Sequence, residues 1–158
     1  SRARRYIFRD SPGGVPARAD TPPLKTASMR ADTLNWIALA EYDLETARHM
    51  LETGRRIYVV FMCHLALEKM LKAHVTEATQ TIPAKTHDLI YLVKRSGLSV
   101  PSDLLDFIGK INNASVPMRY PDDLQRTLNE YTDPVVRSYL RQTEEALQWL
   151  RNALSASR

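Results

Sequence analysis

Residues 57–75 read IYVVFMCHLALEKMLKAHV, and no other segment of the chain is apolar over so much of its length. Wound at 100° per residue, Ile57, Val59, Val60, Phe61, Met62, Leu65, Leu67, Met70, Leu71 and Val75 cover most of a helix circumference. A helix apolar nearly all round belongs in the centre of a bundle, where every face meets a neighbour. The spacing predicts a helix over about 56–80, ended by Pro83. Its longest unbroken apolar run, Ile57 to Leu67, contains His64 and spans 11 residues, well short of the about 20 needed to cross a bilayer.

The flanking sequence supplies the helices such a centre needs. Before it, Trp36, Ala40, Leu44, Ala47 and Leu51 recur at steps of three and four, predicting a helix over about 31–53. Glu41, Asp43, Glu45, Arg48 and Glu52 occupy its other side, and Gly54 is a candidate stop. After it, Leu89, Leu92 and Val93 form the apolar edge of a short helix over about 87–96, with Thr86 as N-cap and Gly97 beyond its end. Leu104, Leu105, Ile108 and Ile111 predict a helix over about 101–113 with Pro101 in its first turn. Pro117 and Pro121 then predict a stiff non-helical loop over 115–122, with room for a helical turn between 122 and 131. The last helix starts near Asp133-Pro134, an N-cap followed by proline, and runs to about Ala153. Its face is Val136, Tyr139, Leu140, Thr143, Ala146, Leu147, Leu150 and Leu154. With no convincing strand and no internal repeat, the expected fold is all-α, an up-and-down helical bundle of about five helices.

The 158 residues carry 22 Lys and Arg against 18 Asp and Glu, a net of +4. Residues 1–28 hold Arg2, Arg4, Arg5, Arg9, Arg18 and Lys25 against Asp10 and Asp20, so the whole excess lies there and residues 29–158 are neutral. The pI of about 9.3 therefore does not mark the body as a basic nucleic-acid binder. Residues 1–28 also carry four of the nine prolines and Gly13-Gly14, and the first methionine is Met29. They are read as a poorly ordered or non-native N-terminal extension, and 29–158 as one helical domain. The single cysteine, Cys63, excludes an internal disulfide and is expected to be a core thiol. No glycine-rich phosphate loop, His-Glu-x-x-His, zinc spacing or serine elbow is present, so no cofactor and no metal is expected.

Two groups of residues could carry chemistry. On the central helix His64, Glu68 and Lys72 fall within roughly 80° of one another and form a polar stripe. Neighbours four apart can pair there, His64 with Glu68 and Glu68 with Lys72. The stripe is an internal network pinning helices together, a solvated seam, or a binding or dimer-facing patch. The second group is Arg119-Tyr120-Pro121-Asp122, a guanidinium and an aromatic side by side. That combination suits phosphate pairing and base stacking. Alternatively it anchors the loop, with Arg119 paired to Glu68 or another bundle carboxylate and Tyr120 packed down. His87-Asp88 stands at a helix start, where Asp88 suits the dipole and His87 is expected to be structural. Asp122 and Asp123 read as surface charge.

In order, these motifs resemble the HEPN domain family. They are Trp36 with Ala40 and Asp43-Leu44, then Val60-Phe61 through His64-Leu65-Ala66-Leu67-Glu68-Lys69-Met70-Leu71-Lys72-Ala73. Thr86-His87-Asp88-Leu89, Arg119-Tyr120-Pro121-Asp122 and a closing helix with Trp149-Leu150 follow. The resemblance covers roughly residues 30–155. It implies an up-and-down bundle that forms homodimers and acts in the cytoplasm beside a small nucleotidyltransferase partner chain, often as a toxin–antitoxin pair. It also implies a nucleotide or RNA ligand, with His64, Glu68, Lys69, Lys72, Arg119, Tyr120 and Asp122 as the binding residues. Other members are metal-independent ribonucleases carrying an Arg followed, after four to six residues, by a His. Here those positions after Arg119 are Leu124, Gln125 and Arg126. Cleavage through a 2′-hydroxyl needs a proton-transfer group, usually His. The expectation is therefore a non-catalytic module. The alternatives are a ribonuclease toxin with His64 or Tyr120 standing in for the missing His, and a purely structural dimerisation bundle.

Overall fold

The computed structural model describes residues 29–156, so the reading of 1–28 as an extension lies outside the described residues. Six helices follow one another: α1 (Ala31–Glu52), α2 (Arg56–Thr79), α3 (Leu89–Ser96), α4 (Ser102–Arg119), α5 (Leu124–Glu130) and α6 (Asp133–Ala156). No strand occurs among the described residues. The expected all-α bundle is the observed one, with six helices where about five were expected.

The central role of α2 follows from its composition. It packs against α1, α3, α4, α5 and α6, and Val59, Val60, Cys63, Ala66, Leu67, Leu71 and Ala73 are fully buried along it. Each neighbour turns one apolar stripe inward. The α6 stripe is the set expected from its spacing, Val136 through Leu154. The turn between α1 and α2 is tight because Gly54 adopts φ +73°, a left-handed conformation that costs glycine nothing. Gly97 closes α3 in the same way at φ +70°. Cys63 is a core thiol as expected, and burial pushes its pKa up to about 12.

Several details differ from the sequence reading: on α4 Phe107 is buried and Leu105 exposed, and on α1 Thr33 and Ile37 are buried where Trp36, Leu44 and Leu51 are half-buried. On α1, Asp43 is buried rather than on the outer face, because its carboxylate accepts from Lys69 Nζ of α2 at 2.9 Å. The N-cap of α3 is Asp88, not Thr86; Asp88 accepts from the amides of Ile90 and Tyr91, and Thr86 Oγ1 accepts from the Asp88 amide. Asp133 lies inside α6 and holds Arg137 at 2.6 Å, while the Val136 amide donates to the Thr132 carbonyl.

The largest difference is at α4, which continues through the expected loop to Arg119 with Pro117 inside it. Pro117 cannot donate to the Asn113 carbonyl, but Val116 and Pro117 are exposed on that side of the helix, so water can satisfy that oxygen. On the other side Ala114, Ser115 and Met118 are buried. Their burial outweighs the local preference of the proline and holds the last turn helical. The true break is shorter, Tyr120 to Asp123, and Asp123 caps α5 by accepting from the Arg126 amide.

Pro117→Ala should therefore stabilise the protein, restoring one helical hydrogen bond without disturbing the buried face. The expected gain is about 1–3 kcal/mol, seen as a higher urea midpoint at an unchanged m-value.

Candidate functional site

The polar stripe of α2 assembles around one carboxylate. Glu68 is 2% exposed, and both of its oxygens are used. Oε1 faces His87 Nδ1 at 2.6 Å, and Oε2 accepts from Lys72 Nζ at 3.3 Å. Lys72 is itself buried, with Nζ 5.4 Å from the centre of the Trp36 ring of α1. A buried charge needs partners of this kind, and the aromatic face adds a cation–π contact.

His64, one turn before Glu68, does not pair with it directly. It is fully buried, and its Nε2 donates to the His87 carbonyl oxygen at 3.0 Å. That bond fixes the tautomer, because a carbonyl can only accept. Nδ1 thus carries the lone pair; it is buried and lacks a well-formed hydrogen bond, although the Asn112 amide lies close enough to interact weakly. Burial pushes the His64 pKa below the ordinary histidine value, with Glu68 opposing and Arg119 reinforcing the shift.

His87 is thus bolted to α2 twice, by its carbonyl to His64 and by its ring to Glu68. The next residue, Asp88, caps α3 and also accepts from Asn112 Nδ2 of α4 at 3.3 Å. Asn112 Oδ1 accepts from the Leu89 amide at 3.0 Å. The connector between α2 and α3 therefore ties three helices together, which gives His87 the structural role expected of it.

Arg119 ends α4, where a cation suits the helix dipole. It does not pair with Glu68. Its guanidinium carbon sits 4.9 Å from the centre of the Phe61 ring of α2, one turn before His64. Its Nη2 is buried without a hydrogen-bond partner. The rest of its tetrapeptide turns away: Tyr120 is 85% exposed rather than packed down, and Asp122 is exposed. Lys69 is drawn to Asp43 on the α1 seam.

Of the residues singled out from sequence, the structure joins Glu68 to Lys72 and, through His87, to His64; Arg119 lies against Phe61, one turn before His64, and Lys69, Tyr120 and Asp122 stand apart. It adds Asn112, and gives Phe61, Trp36 and His87, each already named from sequence, their contacts with Arg119, Lys72 and Glu68. Nothing in the sequence marks Asn112, whose role depends on how α4 docks.

The described helices form a single bundle built on one buried central helix with a polar cluster at its flank. The family model for the HEPN domain matches residues 33–153. The chain belongs to the HEPN domain family. Among solved structures, TT1696 from Thermus thermophilus superposes with a TM-score of 0.68 at 21% identity, covering 78% of this chain and 98% of that one. ST0689, an archaeal HEPN homologue, superposes with a TM-score of 0.62 at 23% identity, covering 77% of this chain and 97% of that one. Comparison with curated protein sequences finds no match. No helix among the described residues is long and apolar enough to cross a membrane.

The buried histidines make stability depend on pH. Besides His64, His74 of α2 has its pKa lowered by burial, and its Nε2 donates to the Leu150 carbonyl of α6 at 2.7 Å. Each ring takes up its proton less readily in the folded chain than in the unfolded one, where the ordinary value is 6.5. Stability is therefore whole above pH 6.5 and falls as the pH drops below it, by up to about 1.4 kcal/mol per pH unit for each ring. Urea unfolding between pH 7.5 and 5.5 should show this decline, and His74→Gln, which keeps a donor but does not titrate, should remove about half of it and leave the His64 share.

Proposed function

We propose that this chain is a non-catalytic HEPN module that binds the phosphates of a nucleotide or RNA at Arg119 and docks as a homodimer with a nucleotidyltransferase, in the manner of a toxin–antitoxin pair. The observation that carries the ligand reading is the Arg119 guanidinium. It lies against Phe61 with a buried Nη2 donor that no described residue satisfies. Arg119 as a whole is only half-buried at the end of α4, and a phosphate oxygen is among the strongest acceptors a guanidinium meets. Lys72 adds little net charge to such a site because Glu68 neutralises it.

The ribonuclease alternative draws less support from the two residues that could replace the missing His. His64 is sealed from solvent and spends its only N–H on a carbonyl. Tyr120 is solvent-facing at the helix end. The purely structural alternative has Arg119 and Glu68 holding the bundle together; Glu68 does join His87 and Lys72, whereas Arg119 meets Phe61 and no carboxylate. A neutral body limits any non-specific affinity for RNA, which comes mainly from net phosphate neutralisation.

Titration calorimetry with ATP and with a short RNA tests the ligand. Binding should weaken by about tenfold or more in Arg119→Ala, the loss of one charge-assisted contact. Absence of heat with either ligand at high protein concentration overturns the reading. Light scattering should give twice the chain mass of 18.0 kDa at micromolar concentration, and a monomer overturns the dimer.

A further inference from the structure

A groove of about 200 Å3 lies between α1 and α6, with Met70 of α2 in its wall. Leu44 of α1 and Leu147 of α6 join Met70 to make part of that wall apolar. Two ion pairs link the helices there, two turns apart. Arg48 Nη2 of α1 meets Glu144 of α6 at 3.3 Å, and Arg151 Nη1 of α6 meets Glu41 of α1. All four of these residues line the groove.

Each arginine has one donor left over. Arg48 Nε and Arg151 Nε are buried and find no acceptor among the described residues. The side chains as wholes are 30% and 20% exposed, and the Nε atoms lie in their buried part. Guanidinium nitrogens only donate, and two spare donors in the walls of one cavity suit a carboxylate, whose two oxygens both accept.

We propose that this groove is a binding site for a free α-amino acid with an aliphatic side chain. The ionic groups lining it cancel, two arginines against two glutamates, so an anion such as phosphate gains no net attraction. A zwitterion is matched at both ends. Its carboxylate accepts from the arginine Nε donors, and its ammonium donates to the Glu41 and Glu144 carboxylates. Its side chain lies on Leu44, Met70 and Leu147, in the common pattern of an apolar pocket with a few polar groups that fix orientation. The volume falls below the about 300–1,000 Å3 of drug-sized sites, which excludes a nucleotide and suits a single amino acid. Met70 follows Phe61 by nine residues, which at 100° each places it half a turn round α2. The groove therefore lies across the central helix from Arg119, and the inference does not depend on the phosphate reading of that residue.

Titration of the full chain with L-leucine, followed by the methyl NMR signals of Leu44, Met70 and Leu147, tests the site. These signals should shift saturably. N-acetyl-L-leucinamide, with the same side chain and neither charge, should bind at least about tenfold more weakly. Arg48→Lys and Arg151→Lys keep the charge and lose the Nε donor, and each should weaken leucine severalfold, while Arg119→Ala leaves it unchanged. Leu44→Phe, which fills the groove from its half-buried side, should abolish binding. Shifts that fail to saturate, or that survive Leu44→Phe, overturn the site. Equal binding of the blocked amide overturns the zwitterion, and leucine affinity unmoved in both lysine variants overturns the role of the Nε donors.

Discussion

A carboxylate at the centre of an almost wholly apolar helix is the constraint around which this bundle is arranged. Taking one ion out of water costs several kcal/mol, and losing a partner of a buried pair costs about 3–5 kcal/mol. Glu68 must therefore be met, and the chain meets it from two directions. Lys72 comes from one turn further along the same helix and shelters against Trp36. His87 comes from the connector, bringing with it the whole start of α3. Asn112 then reads the geometry of that start and fastens α4 to it. The mutual placement of three helices is thus referred to one buried charge.

The helices themselves were legible where their periodicity is long and unbroken. The inner face of α6 and the burial of α2 follow from spacing alone. What spacing could not reveal was competition between levels. Pro117 carries a strong local preference against helix, and the burial of Met118 and Ala114 overrides it. Asp43 looks like an outward-facing acid until Lys69 of the neighbouring helix claims it. The choice between Thr86 and Asp88 as cap depends on where α4 places Asn112. In the site, His64, Glu68 and Lys72 were visible as a stripe because helical geometry is fixed. The partners were not, since His87 lies 19 residues from Glu68 and Arg119 meets Phe61 rather than an acid.

The bundle has the same shape as relatives with which it shares only 21–23% of residues. That is expected of a core filled by helices of the right apolar pattern, because volume and patterning tolerate wide substitution. Fine chemistry tolerates less. The positions after Arg119 where some family members place a histidine are here Leu124, Gln125 and Arg126, all in the exposed first turn of α5.

The burial of Cys63 has a consequence for how the protein meets its surroundings. Oxidants, electrophiles and soft metal ions attack the thiolate and need a path to it. A thiol pushed up to about 12 in a fully buried position offers neither. With no second cysteine among the 158 residues, no disulfide can form within them, whatever the medium.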